Sequence, residues 1–250
     1  VTYDFRGSFI QLEQPEDSTR VADLGFNRVN AIPLTSYLDR LDPRVQAWLW
    51  NGSYTVSTHS FSQSDSTVTS RVTQVLGHPR NSHIYAVWDD TGGVLDAQAQ
   101  ADLCARSALI RGLDPQAKTI GYEFRYGAGG GADNYAVLAS SCPQGGTVVD
   151  EIWGDGYPNR PWGYDDGRIA GQGARADALG IPYRGVVQTF QDACPANNYL
   201  YPDPATIQRM YDEWATTNQL GYVVYHWEVG CSAVWFENNA ESQATWAGLN

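Results

Sequence analysis

The chain has 250 residues, a formal net charge of -12 and a pI near 4.6, and Lys118 is its only lysine. That balance argues against nucleic acid as a partner, because phosphate backbones are held by Lys/Arg patches. Charged residues make up only 18% of it, below the ~25% of ordinary soluble chains, and no stretch approaches the ~20 apolar residues of a membrane span.

The length suits one (β/α)8 barrel. With 25 Gly, 9 Trp and 15 Tyr, the composition is of a kind associated with secreted proteins that bind sugars. A start at Val1 rather than Met is expected of a chain whose leader has been removed. The four cysteines, Cys104, Cys142, Cys194 and Cys231, show no CxxC spacing. Their even number fits disulfides outside the cytosol, and chain order favours Cys104–Cys142 and Cys194–Cys231.

The first strand is expected at 8–13, followed by a helix that starts at Pro15-Glu16-Asp17-Ser18 and stops at Gly25. Residues 26–32 read as a second strand, Thr35-Ser36 opens a helix, and 45–50 is a third strand. Asn51-Gly52-Ser53 is a glycosylation sequon, meaningful in a eukaryotic source. Segment 53–66 is too long for an ordinary βα connection and is expected to cover a site. A helix with Val68, Val72 and Val75 on one stripe leads to the fourth strand, 83–88, an apolar run that ends at Asp89-Asp90.

A helix over 95–110 precedes the fifth strand, 119–124. The Gly127–Gly131 run after it lacks GK[ST] and GxGxxG spacing, so it is not expected to cradle phosphate. A short helix over 134–140 leads to the sixth strand, expected at 147–153, then an aromatic loop with Tyr157 and Trp162. A helix over 165–179, a seventh strand over 182–190 and an amphipathic helix from Pro204 through Trp214 follow. The eighth strand is expected at 222–229, and a last helix at 243–249. Eight strands alternating with eight helices imply a parallel sheet. The expectation is an α/β fold, a single-domain (β/α)8 TIM barrel over 1–250.

In such a barrel the strand C-termini converge on one rim, where active sites are built. That rim would gather Gln11, Trp48, Trp50, Asp89, Glu123, Tyr126, Glu151, Trp153, Asp155, Tyr157, Gln188, His226, Trp227 and Glu228. Acids within aromatic walls suit glycoside hydrolysis, in which one carboxyl protonates the leaving oxygen and a second attacks the sugar or activates water. Alternation favours Glu123 inward with Gly121, if Ile120 and Tyr122 face the helices. It likewise favours Glu151 over Asp150, and Asp89 over Asp90, which is read as a turn former. The expected catalytic set is therefore Asp89, Glu123 and Glu151. Carboxylates on neighbouring strands fit a retaining pair and those one strand apart an inverting pair, so the stereochemical outcome stays open. His59, His78, His83 and His226 are scattered without HxH or HExxH, so no metal and no cofactor are expected. Oxygen ligation of Ca2+ or Mg2+ at Asp89/Asp90 or Asp150/Asp155 is the alternative.

The acid-ended strands VWDD (87–90), GYEF (121–124) and VDEIWGD (149–155), with YHWE (225–228), resemble those of small secreted glycoside-hydrolase barrels. Trp227 resembles the terminal-strand Trp that floors chitinase-type sites, but DGxDxDxE and Asn-Glu-Pro are both absent, so no family's catalytic pair carries over. The resemblance implies a secreted monomer that acts on carbohydrate. A non-catalytic carbohydrate-binding barrel and a metal-dependent hydrolase or lyase are the other two readings.

Overall fold

A computed structural model describes residues 3–10, 12–90, 93–191, 199–225 and 234–250. Gln11, His226, Trp227, Glu228, Cys194 and Cys231 lie outside the described residues. Eight strands form the frame: β1 (Arg6–Ser8), β2 (Arg28–Ala31), β3 (Gln46–Trp50), β4 (Asn81–Trp88), β5 (Lys118–Glu123), β6 (Glu151–Gly156), β7 (Tyr183–Gln188) and β8 (Tyr222–Tyr225). They close in the order β1-β8-β7-β6-β5-β4-β3-β2, and every neighbouring pair is parallel.

Helices α1 (Asp17–Asp23), α2 (Thr35–Leu38), α3 (Asp65–Val75), α4 (Ala97–Leu113), α5 (Asn134–Leu138), α6 (Arg168–Leu179), α7 (Pro204–Ala215) and α8 (Ala240–Leu249) alternate with the strands. The starts of α3, α4, α5, α7 and α8 are set by short polar side chains that satisfy free N–H groups of the first turn. Ser64 accepts from Thr67 N, Asp96 from Ala99 N, and Asp203, ahead of Pro204, from Thr206 N. Among the described residues no helix is long and apolar enough to cross a membrane.

The core has two layers. Phe5, Phe9, Trp48, Ile84, Ile120, Tyr122, Trp153, Val186 and Val223 fill the barrel. Val29, Leu49, Tyr85, Ile152, Trp214 and Trp246 pack between strands and helices. Trp214 of α7 lies on β7 at Gly185, where a Cβ would fall 2.5 Å from the indole, so this close approach requires glycine. Cys104 of α4 is disulfide-bonded to Cys142, beyond α5. Asn51 of the sequon is fully buried, so the folded chain does not offer it to a glycan.

Four strands, β1, β2, β4 and β6, begin two or more residues from where they are expected. β1 starts at Arg6, two residues ahead, with Phe5 and Phe9 both turned into the barrel. β6 starts at Glu151 rather than 147. Residues 147–150 form an approach segment whose amides are taken by other partners: Val148 N donates to Ser140 O, Val149 N to Leu138 O and Asp150 N to Thr119 O. Val148 and Val149 are buried in the outer core, so the apolar run begins before the barrel wall does. At ~3.3 Å per residue, a four-residue offset moves a side chain by about 13 Å, from one rim to the other.

Candidate active site

The C-terminal ends of β4, β5 and β6 bring Asp89, Asp90, Glu123 and Asp155 into one electrostatic cluster. A register irregularity between Ala86 and Trp88 turns Trp88 into the outer layer. Asp89, buried just beyond it, acts on the inward-facing Tyr122 hydroxyl together with Asp155. Asp155 follows Trp153 on the inward face of β6 and is buried at the mouth. It accepts from Tyr157 Oη at 3.0 Å. Burial, then the charge of Asp90, pushes its carboxyl well above the ordinary range, against the Tyr157 bond. Asp90 is pushed up to about 6 by burial and by the charges of Glu123 and Asp89, against Arg125. A carboxyl that keeps its proton beside one that loses it supplies an acid and a base in one mouth.

Glu123 is in the cluster but does not face into the barrel. Ile120 and Tyr122 take the inward places, because a barrel interior is itself a packed core. Apolar bulk therefore marks both faces of β5, and the expectation of an inward Glu123 is corrected. Its Oε1 accepts from Phe124 N at 2.9 Å, Arg125 N at 2.8 Å and Arg125 Nη1 at 3.1 Å. Its Oε2 accepts from Trp88 Nε1 at 3.0 Å and Asn134 Nδ2 at 2.5 Å. Burial raises its pKa, while these donors pull it down. The same donors reach the loop that carries the aspartates: Arg125 Nη1 donates to the Asp90 carbonyl at 2.8 Å, and Asn134 Nδ2 to the Gly93 carbonyl at 3.0 Å.

Glu151 is not at this mouth. As the first residue of β6 it lies at the N-terminal rim, where it accepts from Arg184 Nε at 2.8 Å and Lys118 Nζ at 3.0 Å. Burial pushes its pKa up, but the two cations outweigh that and leave it below the ordinary value. Asp150 sits at the same end, bound to Thr119 and Arg111, so it cannot share a cation with Asp155. Among the described residues, no group of three or more His, Cys, Asp or Glu side chains is arranged to hold a metal ion.

Several expected sugar contacts are also placed elsewhere. Trp48 and Trp153 are fully buried in the barrel core with Phe5, so neither offers a face to a ligand. Tyr126 packs on Tyr135 and over Gly171, in the helix layer. Gln188 is fully buried and spends its amide on Leu200 O at 2.7 Å and Asn159 O at 3.3 Å, tying loops together. Trp50 and Tyr157 do reach the mouth. Trp50 stacks on Tyr122 with centroids 6.1 Å apart, and Tyr157 on Tyr225 at 5.7 Å. Tyr122 and Tyr225 are the members that sequence reasoning passed over, while Asp90 was weighed and read as a turn former. For Tyr122 the available signal was the bulk that any barrel interior requires. For Asp90 it was the adjacency of two acids, of which only one could be chosen.

Beyond β6, the hairpin Asn159–Arg160 with Gly163–Tyr164 carries Trp162 at its tip, 70% exposed. Arg160 stacks on Tyr199 at 3.9 Å and lies 5.9 Å from the Trp162 ring centre.

No family model matches the chain, and no curated protein matches it. Solved structures do. A β-galactosidase from the psychrophilic Marinomonas ef1 superposes with TM-score 0.68 at 9% identity, over 98% of this chain and 58% of that one. A β-1,4-D-mannanase from Cryptopygus antarcticus gives 0.65 at 10% identity, over 96% of this chain and 89% of that one. The β-glucanase SdGluc5_26A from Saccharophagus degradans gives 0.61 at 9%, over 100% and 87%. The chain thus spans about half the length of the β-galactosidase and most of the mannanase and glucanase. At such identities the likeness is one of fold, and the chain is a closed eight-stranded (β/α)8 barrel similar to those of glycoside hydrolases.

Proposed function

We propose that this chain is a secreted glycoside hydrolase, acting as a single-domain monomer on a poly- or oligosaccharide, with Asp155 and Asp90 as its carboxyl pair. The observation that carries the reading is the gathering of these buried carboxyls at one mouth, where the Asp90 charge raises Asp155 and the Glu123 and Asp89 charges raise Asp90. Asp155, whose carboxyl burial and the Asp90 charge raise well above the ordinary range, donates its proton to the leaving oxygen. Asp90 is ionised above about pH 6 and attacks the sugar or activates water. Asp89 adds negative charge beside them, Tyr157 holds Asp155 through its hydroxyl, and Trp50 and Trp162 offer ring faces to sugars. Glycoside hydrolases with this fold, among them the mannanase and glucanase above, support the substrate class. The Cys104–Cys142 disulfide supports an oxidising compartment.

The test is a panel of oligosaccharides, including β-mannan, β-glucan and galactoside oligomers, with products sized by chromatography. Cleavage that is lost in Asp155→Asn and in Asp90→Asn, with sugar affinity retained, is the expected result. Sugar binding without any cleavage by the unaltered chain would instead identify a binding barrel.

A further inference from the structure

The other end of the barrel holds a cavity of about 420 Å3, within the range of sites for small molecules. Phe5, Arg28, His83, Lys118, Arg184 and Leu220 line it, with Asp4 at its edge. In a chain of net charge -12, the single lysine and two arginines converge here. Glu151 neutralises part of this charge, being held by both Lys118 and Arg184.

Arg28 has no carboxylate partner among the described residues. Its Nη1 donates to the Asn27 carbonyl at 2.9 Å, and its Nε is buried without an acceptor. An unmatched buried guanidinium donor is costly, the more so beside a second cation. Arg28 and Arg184 both lie against the Phe5 ring, 5.6 and 4.1 Å from its centre. Burial and the neighbouring Arg184 charge push the Arg28 pKa down. His83 adds a backbone held at φ 59°, with its ring Nδ1 2.7 Å from Asp114. Non-glycine residues in this left-handed region store strain, and such positions cluster at ligand sites.

We propose that this cavity binds a small organic anion through a carboxylate or phosphate group, received by Arg28 and Lys118 over the Phe5 ring. Guanidinium geometry matches two oxygens of either group. A bare ion would leave most of the volume empty, and Phe5 and Leu220 give an apolar wall for an organic body. The site is at the opposite rim from the aspartates, so occupancy acts on stability and not on the sugar-binding mouth.

Calorimetric titration with inorganic phosphate and with citrate, at fixed ionic strength in chloride, tests this on the full chain. Saturable binding is expected for at least one, and whichever saturates identifies the group received. Arg28→Gln and Lys118→Gln should each weaken it at least tenfold, while Asp155→Asn, at the other rim, should bind as the unaltered chain does. Lys118 is 56% exposed, so its variant remains informative if Arg28→Gln does not fold. Absence of saturable binding of both anions overturns the proposal, and so does binding that Lys118→Gln leaves unchanged or that Asp155→Asn abolishes.

Discussion

As the proposed base, Asp90 links the pH dependence of cleavage to that of stability. Cleavage should fall about tenfold per pH unit below the point where Asp90 gains its proton, near pH 6. Because the Asp90 charge raises Asp155, the two limbs of the profile belong to the pair. The folded chain holds the Asp90 proton more tightly than the unfolded chain, whose carboxyl has the ordinary value of 3.8. The stability this confers is therefore full below 3.8 and lost as the pH rises through about 6. At neutral pH the ionised Asp90 costs stability, and Asp90→Asn should recover about 1–3 kcal/mol. Urea unfolding at pH 5 and pH 8 checks this: the advantage of the variant must widen at the higher pH. Glu123 acts at one remove. It fixes Arg125 and Asn134, which hold the loop of Asp89 and Asp90, and its charge raises Asp90. Glu123→Gln should lower kcat about 10–100-fold, as for groups that orient others, and move the acidic limb to lower pH. An unmoved limb would leave Glu123 a purely structural residue.

Among the elements, α4 and the segment after α5 are joined by Cys104–Cys142 across 38 positions. Closing a loop of that length restricts the unfolded chain, and replacing both cysteines by alanine should cost about 2–4 kcal/mol in denaturant unfolding. Equal midpoints for the two proteins would show that the disulfide adds nothing. This pairing was legible from cysteine order, and eight alternating elements were legible because apolar runs and Gly/Pro stops follow period and punctuation. Facing and register were not. The Val148-Val149 pair is as apolar as a strand but belongs to the approach to β6. Tyr122 is as bulky as a helix-facing residue but fills the barrel. Two apolar layers on either side of one wall leave no polarity difference for a pattern to read. The stretch after β6 was legible as a long aromatic loop, and it carries Trp162 exposed at its tip, which we propose as an outer sugar contact. Trp162→Ala should raise KM several-fold on long oligosaccharides and leave kcat on short ones unchanged. An equal effect on both lengths would place the indole next to the cleaved bond.

The barrel as a whole separates its charges by rim. Asp89, Asp90 and Asp155 are crowded at the C-terminal mouth, where burial and mutual repulsion oppose stability. Glu151 is at the N-terminal rim, where Arg184 and Lys118 compensate its burial. One acid on the inward face of β6 is therefore compensated by cations, and another, four residues on, is the acid we propose for the chemistry, its burial opposing stability. Paired variants separate the two roles. Glu151→Gln leaves the Arg184 guanidinium buried without its carboxylate, a loss of about 3–5 kcal/mol by analogy with broken buried pairs. Turnover per folded molecule should be unchanged. Asp155→Asn should do the reverse, abolishing cleavage while holding or raising stability, since it removes the cost of ionising a buried group. Denaturant unfolding and turnover on the same preparations measure both. If a folded Glu151→Gln protein loses cleavage, the chemistry is not confined to the C-terminal mouth, and the assignment of Asp90 and Asp155 fails with it.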